Sequence, residues 1–220
     1  MTTKELLQSI APGIGDILNA IDPDSIDELV DAIIESNRVF TAGWGRAGNI
    51  VRILGMDLSQ FGKQVYCVGD NSTPSIHRGD ILIVNSGSGN TKTISIIAEQ
   101  AKSFGAIVAL ITGSSHPKES LIGKISDHII RIPDRFDMPD IWDMEPEIID
   151  EEASGEGNNK GLGLKIRYNI TPEQREQMTM DKYFSVYEVG FILNEVIMQK
   201  YMEKTGHVFE DINYYHNNLE

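Results

Sequence analysis

The feature that most constrains this chain is a repeated change of hydrophobic period. Short runs rich in branched residues stand at Val39–Ala42, Val65–Val68, Ile81–Asn85, Ile107–Thr112 and His128–Ile132. Stretches of helix length, Ala47–Phe61, Thr91–Phe104 and Pro117–Ser126, lie between them. Strands alternating with helices at this rhythm predict βαβ units and a parallel sheet covered on both faces. The fold class is therefore α/β, a three-layer αβα sandwich around a five-stranded parallel sheet.

The flanks complete the layout. Residues 4–20 read as a helix interrupted near Pro12-Gly13, and a second helix follows the start signal Asp22-Pro23-Asp24, with Ile26, Leu29, Val30, Ile33 and Ile34 at helical spacing. After Asp134 the rhythm stops. An acidic run gives way to Gly155, Gly157, Gly161 and Gly163, then to a strand-like Leu164–Tyr168. Thr171-Pro172-Glu173-Gln174 carries a capping residue, a proline at the first helical position and a Gln three after the cap. A long helix then runs through about Lys204 to a Gly206 stop. We read one domain over residues 1–220: N-terminal helices (1–38), a βα core (39–133), an exposed acidic insertion (134–170), and a C-terminal helix and tail (171–220).

Charge narrows the partners. The net charge is −14, and Asp134–Glu156 holds ten acids against one base. Like-charge blocks are usually solvated faces, and this one lacks the acid spacing of a calcium loop. A duplex-binding surface needs the opposite sign, so neither nucleic acid nor an anionic membrane is an expected partner. No apolar run reaches the ~18 residues of a spanning helix, and the N-terminus lacks the apolar core of a signal peptide. The expected location is cytoplasmic. A single cysteine, Cys67, excludes a cysteine metal cluster.

Two glycine loops carry the chemistry. Gly43-Trp44-Gly45-Arg46-Ala47-Gly48 is a GxGxxG after a strand and opening a helix, and Asp70 follows the next strand. That context fits a dinucleotide fingerprint, although missing side chains admit any anion to the amides of a helix start. Ser86-Gly87-Ser88-Gly89-Asn90-Thr91 also joins a strand to a helix. Its hydroxyls describe a cradle for one phosphate monoester, and the order Asn90-Thr91-Lys92 does not make a Walker loop. A plain polar turn capping a helix is the competing reading. Two such loops point to a crevice at a topological switch point.

Beyond these loops, VFTAGWGRAG (Val39–Gly48) and the Val65–Ile94 stretch VYCVGDNSTPSIHRGDILIVNSGSGNTKTI resemble the sugar isomerase (SIS) domain family. Within it the chain is similar to the 6-phospho-3-hexuloisomerases, with their GxGRSG turn, an acidic residue followed by Thr-Pro, and the SGSGxT loop. The closing His216-Asn217-Asn218-Leu219-Glu220 is similar to that family's tail. The resemblance implies isomerisation of 3-hexulose 6-phosphate to fructose 6-phosphate through a cis-enediol, without redox cofactor or metal. It also implies assembly as a homotetramer, or a homodimer, in which neighbouring subunits complete each site.

On this resemblance Ser86, Ser88 and Thr91 hold the phosphate group, and Asn90 is a further substrate-binding residue. Gly45 and Arg46 face the sugar or the phosphate, Asp70 binds a sugar hydroxyl or caps a turn, and Trp44 is a pocket wall or plain packing. The family's serine after the arginine is Ala47 here, and Ser185 stands where its acid–base Glu would fall. Glu188, one turn later, is the candidate base, and His216, the histidine in motif context, is the second catalytic candidate. The remaining histidines (His77, His116, His128, His207) have no partner at ligand spacing. A non-catalytic phosphosugar-binding module, an isomerase for another sugar phosphate and an NAD-dependent oxidoreductase are the alternatives. The apolar stripe Phe184, Phe191, Ile192 and Val196 is either core or a subunit interface.

Overall fold

A computed structural model describes residues 2–133, 147–150, 164–167 and 180–212. Helix α1 (Thr3–Asn19) opens on a capping box, in which the Thr2 hydroxyl accepts from the Glu5 N–H and the Glu5 carboxylate from the Thr2 N–H. It runs through Pro12 without the expected break. Proline removes one backbone hydrogen bond, and the burial of Ile17 and the packing of Ile14 and Leu18 in the core outweigh that loss. Helix α2 (Pro23–Glu35) begins where Asp22 caps it. Its C-terminal carbonyls are satisfied from outside, because the ammonium of Lys63 donates to Ile34 O and Ser36 O. Burial holds that ammonium below the usual lysine range.

Strands β1 (Val39–Ala42), β2 (Val65–Cys67), β3 (Ile81–Asn85), β4 (Ile107–Thr112) and β5 (His128–Arg131) form one parallel sheet in the order β2-β1-β3-β4-β5. Every residue of β1 and β3 is buried. Alternate residues serve opposite cores. Val39, Ile81, Ile83, Ala109 and Ile111 meet α1, α2, α3 (Gly45–Gln60) and α5 (Met180–Thr205). Phe40, Leu82, Val84, Val108 and Leu110 meet α4 (Lys92–Ser103). The three-layer sandwich is as the periodicity predicts.

The helix expected over Pro117–Ser126 is absent. Two 3-10 turns, Pro117–Glu119 and Gly123–Ile125, stand in its place. The buried Ser120 hydroxyl donates to Pro117 O and accepts from Gly123 N–H, an alternative to helical pairing. In the acidic segment, β6 (Glu147–Asp150) pairs antiparallel with β7 (Leu164–Arg167), so part of the run read as a solvated face is strand. The helix start at Thr171-Pro172 lies outside the described residues.

Helix α5 buries Val189, Leu193, Ile197 and Tyr201, and Asn194 Nδ2 donates to Ile50 O across 2.8 Å. A side chain at Gly190 would meet Ile50 and Ile132. These contacts clamp α5 to α3. Of the stripe read from the sequence, Ile192 and Val196 are half-buried, Phe191 is 46% exposed, and the side chain of Phe184 lies outside the described residues. Gly206, at φ +75°, ends α5, and His207 Nδ1 then pairs with Asp211 Oδ2 at 3.0 Å.

One half-buried acid on α3 has a measurable consequence. Burial, and then the charge of Glu195, push the Asp57 carboxyl up to about 6. The folded chain therefore binds this proton more tightly than the unfolded one, and stability falls as pH rises from about 4 through 6. Asp57→Asn removes that penalty. Solvent screening leaves a gain of about 1 kcal/mol at pH 7.5 that vanishes near pH 4, read from urea unfolding at both values. An equal effect at both pH values would refute the assignment.

Candidate phosphosugar site

Both glycine loops leave the carboxyl ends of adjacent strands. Helix α3 leads from β1 outward to β2, while α4 leads from β3 the other way to β4. Open α/β sheets bind ligands in the crevice outside such a reversal.

In the β3 loop, Ser86 is buried and its hydroxyl lies 3.0 Å from that of Thr91. Thr91 occupies the N-cap of α4, yet its hydroxyl is turned to Ser86, and no side chain caps the first turn. Ser88 Oγ accepts from Asn90 N–H at 3.0 Å. Three hydroxyls thus surround a helix start whose amides and dipole favour an anion. The loop is braced from behind. Thr112 Oγ1 and Gly113 N–H both donate to Gly87 O at 3.0 Å. Asn90 Oδ1 accepts from Leu121 N–H at 2.9 Å, and Ile122 N–H donates to Gly89 O at 3.0 Å. Gly89 has φ +65°, and a Cβ there would lie 2.5 Å from Ser120 Oγ. Asn90 therefore holds the loop's shape, which places it behind the hydroxyls.

The β1 loop is built on contact between two glycines. A Cβ on Gly48 would come within 2.4 Å of Gly43 O, and one on Gly43 within 2.8 Å of Asn85 O. The first and last glycines of GxGxxG seat α3 against β1, a role the motif has in any such turn. Gly45 takes φ +58° with open space around it. Trp44 is 54% exposed, and its indole N–H donates to Thr93 Oγ1 at 2.9 Å, so it spans from one loop to the helix of the other.

Arg46, the second residue of α3, lies over the ring of Tyr187 on α5, with Cζ 3.7 Å from the centroid. The next residue, Glu188, has an Oε2 shielded from solvent that accepts no hydrogen bond among the described residues. A buried carboxylate oxygen left so is costly, and such atoms call for a functional explanation. Asp70 Oδ1 accepts from Arg52 Nη2 at 3.0 Å, and both side chains are about half exposed, a screened surface pair. His216 lies outside the described residues. The structure thus brings Arg46 to Tyr187, and Ser86 to Thr91 with Ser88 in the same loop. Sequence reasoning missed Tyr187 and Thr93, because no local pattern marks partners 141 and 49 residues away.

Residues 32–135 match the SIS domain family. The 3-hexulose-6-phosphate isomerase of Bacillus subtilis (strain 168) is 38% identical over 133 residues, which cover 60% of this chain and 70% of that enzyme. Its counterpart in Mycobacterium gastri is 38% identical over 127 residues, covering 58% of this chain and 62% of that enzyme. Among solved structures, a hypothetical protein from Methanococcus jannaschii, with an inferred molecular function of 3-hexulose-6-phosphate isomerase, superposes with a TM-score of 0.69 at 21% identity, covering 98% of this chain and 99% of that one. The Vibrio vulnificus NanR protein complexed with ManNAc-6P gives 0.61 at 16% identity, covering 95% of this chain and 63% of that one. At these identities the structural likeness establishes the fold. Together with the sequence relatives, it shows that this chain belongs to the SIS domain family.

Proposed function

We propose that this protein is a phosphosugar isomerase that interconverts 3-hexulose 6-phosphate and fructose 6-phosphate. The observation that carries the reading is the shielded Oε2 of Glu188, which accepts no hydrogen bond among the described residues, in a chain 38% identical over 127 and 133 residues to two 3-hexulose-6-phosphate isomerases. The Ser86, Ser88 and Thr91 hydroxyls, with the amides opening α4, hold the phosphate and so fix the register of a flexible sugar. Glu188 takes the proton from C2 of the 3-ketose, the C3 carbonyl oxygen gains a proton, and an enediol spans C2 and C3. Return of the carbon-bound proton to C3, with loss of the O2 proton, gives the 2-ketose. Gly45 and Arg46 face the developing negative charge, where a fixed cation stabilises the transition state. Asp70 binds a sugar hydroxyl, His216 is the second catalytic candidate, and the same reading carries cytoplasmic location and homo-oligomeric assembly.

The test is an assay on 3-hexulose 6-phosphate generated in situ, read as fructose 6-phosphate. Ser86→Ala is expected to raise KM about 10- to 100-fold at nearly constant kcat, the loss of one hydrogen bond to a charged group. An unchanged KM removes Ser86 from the phosphate site. The runner-up is a phosphosugar-binding module, a reading favoured by the fold shared with NanR in its ManNAc-6P complex. It predicts no turnover while fructose 6-phosphate at 100 times its Kd adds about 2.7 kcal/mol of stability.

A further inference from the structure

We propose that Tyr187 is a positioning residue that acts through Arg46. The inference rests on the phosphosugar reading above and deepens it. Arginine carries a long side chain with several rotamers, and its five N–H donors lie in the plane of the guanidinium. A cation in that chain recognises an oxyanion well only when the plane is fixed before the ligand arrives.

The Tyr187 ring supplies that constraint. With Cζ 3.7 Å from the ring centroid, the Arg46 guanidinium rests against the Tyr187 ring.

The two partners belong to helices that cannot shift independently. Asn194 Nδ2 bonds Ile50 O across the α3–α5 contact at 2.8 Å, and Gly190 leaves no more than a methyl's space against Ile50. Arg46 sits one turn before Ile50 on α3, and Tyr187 sits two turns before Asn194 on α5. Neighbouring positions on α5 therefore carry the carboxylate of Glu188 and the surface on which Arg46 rests. Docking of one helix sets the geometry of both.

The test compares Tyr187→Phe, Tyr187→Leu, Arg46→Ala and the double variant Arg46→Ala/Tyr187→Leu. KM and kcat are measured separately, with Kd for fructose 6-phosphate by calorimetry and a thermal midpoint for each protein. Tyr187→Leu is expected to raise KM and Kd about tenfold with kcat within about threefold of wild type. Tyr187→Phe keeps the aromatic face and restores the wild-type KM. Because Tyr187 acts through Arg46, the double variant is no worse than Arg46→Ala. Equal KM values for Tyr187→Leu and wild type overturn the proposal, as do losses that multiply in the double variant. A fall in kcat alone also overturns it, by moving the role of Tyr187 to the proton transfer. Should Tyr187→Leu fail to fold, Tyr187→Met, of similar volume and without a ring, carries the same expectation. A wild-type protein with neither turnover nor fructose 6-phosphate binding overturns the functional reading and this inference together, whereas an active wild type with unaffected Tyr187 variants overturns the inference alone.

Discussion

Replacing Glu188 with Gln lowers kcat by about 10²- to 10⁴-fold while KM stays within a few-fold of wild type. The magnitude is that of a positioned general base. The amide is nearly isosteric with the carboxylate, so the α3–α5 packing and the Ser86–Thr91 cradle survive, and only the proton acceptor is lost. Glu188→Asp separates chemistry from charge. It keeps a carboxylate and withdraws it by one methylene, and a misplacement of about 1 Å at a reacting carbon costs on the order of 10²-fold. The expected order is wild type, Asp, Gln. Full turnover in Glu188→Gln would send the search for the base elsewhere while leaving the phosphate site intact.

How far the site was legible in the sequence depended on the range of each interaction. The Ser86–Thr91 loop is local, and its hydroxyls, glycines and flanking period change all lie within a short stretch, so its place between β3 and α4 was legible. The strands were legible for a similar reason, since a buried parallel strand such as Ile81–Asn85 writes its burial directly into its residues. Pro12 misled because its local penalty is visible in sequence, whereas the compensating burial of Ile17 against distant helices is not. Pro117–Ser126 had the length of a helix, but the bonds of Ser120 to Pro117 and Gly123 compete with the helical ladder at close range. The strand at Glu147–Asp150 was hidden by acids, which are poor strand formers, flanking its two isoleucines.

Gly48→Ala is expected to be strongly damaging to the seat of α3 on β1. Its Cβ would lie 2.4 Å from Gly43 O and 2.7 Å from Gly43 C, both backbone atoms that no rotamer change can move aside. Relief requires α3 to lift away from β1. That lift loosens Val51, Leu54 and Leu58, which are buried between the helix and the sheet, and draws Arg46 and Trp44 out of place. Overpacking of a tight core costs about 1–3 kcal/mol, and a backbone collision belongs at the top of that range. For a chain of this size about 3 kcal/mol lowers the unfolding temperature by roughly 6–12 °C. Gly45→Ala makes the comparison sharp. Gly45 has nothing near its Cβ direction, so its penalty is the positive φ alone, about 1–2 kcal/mol, and Gly45→Asn costs less because asparagine tolerates that conformation. The ordering of unfolding midpoints in urea is thus wild type, Gly45→Asn, Gly45→Ala, Gly48→Ala. A Gly48→Ala protein as stable as wild type would mean that helix and strand do not meet at these glycines. The seating of Arg46 against Tyr187 would then need another explanation.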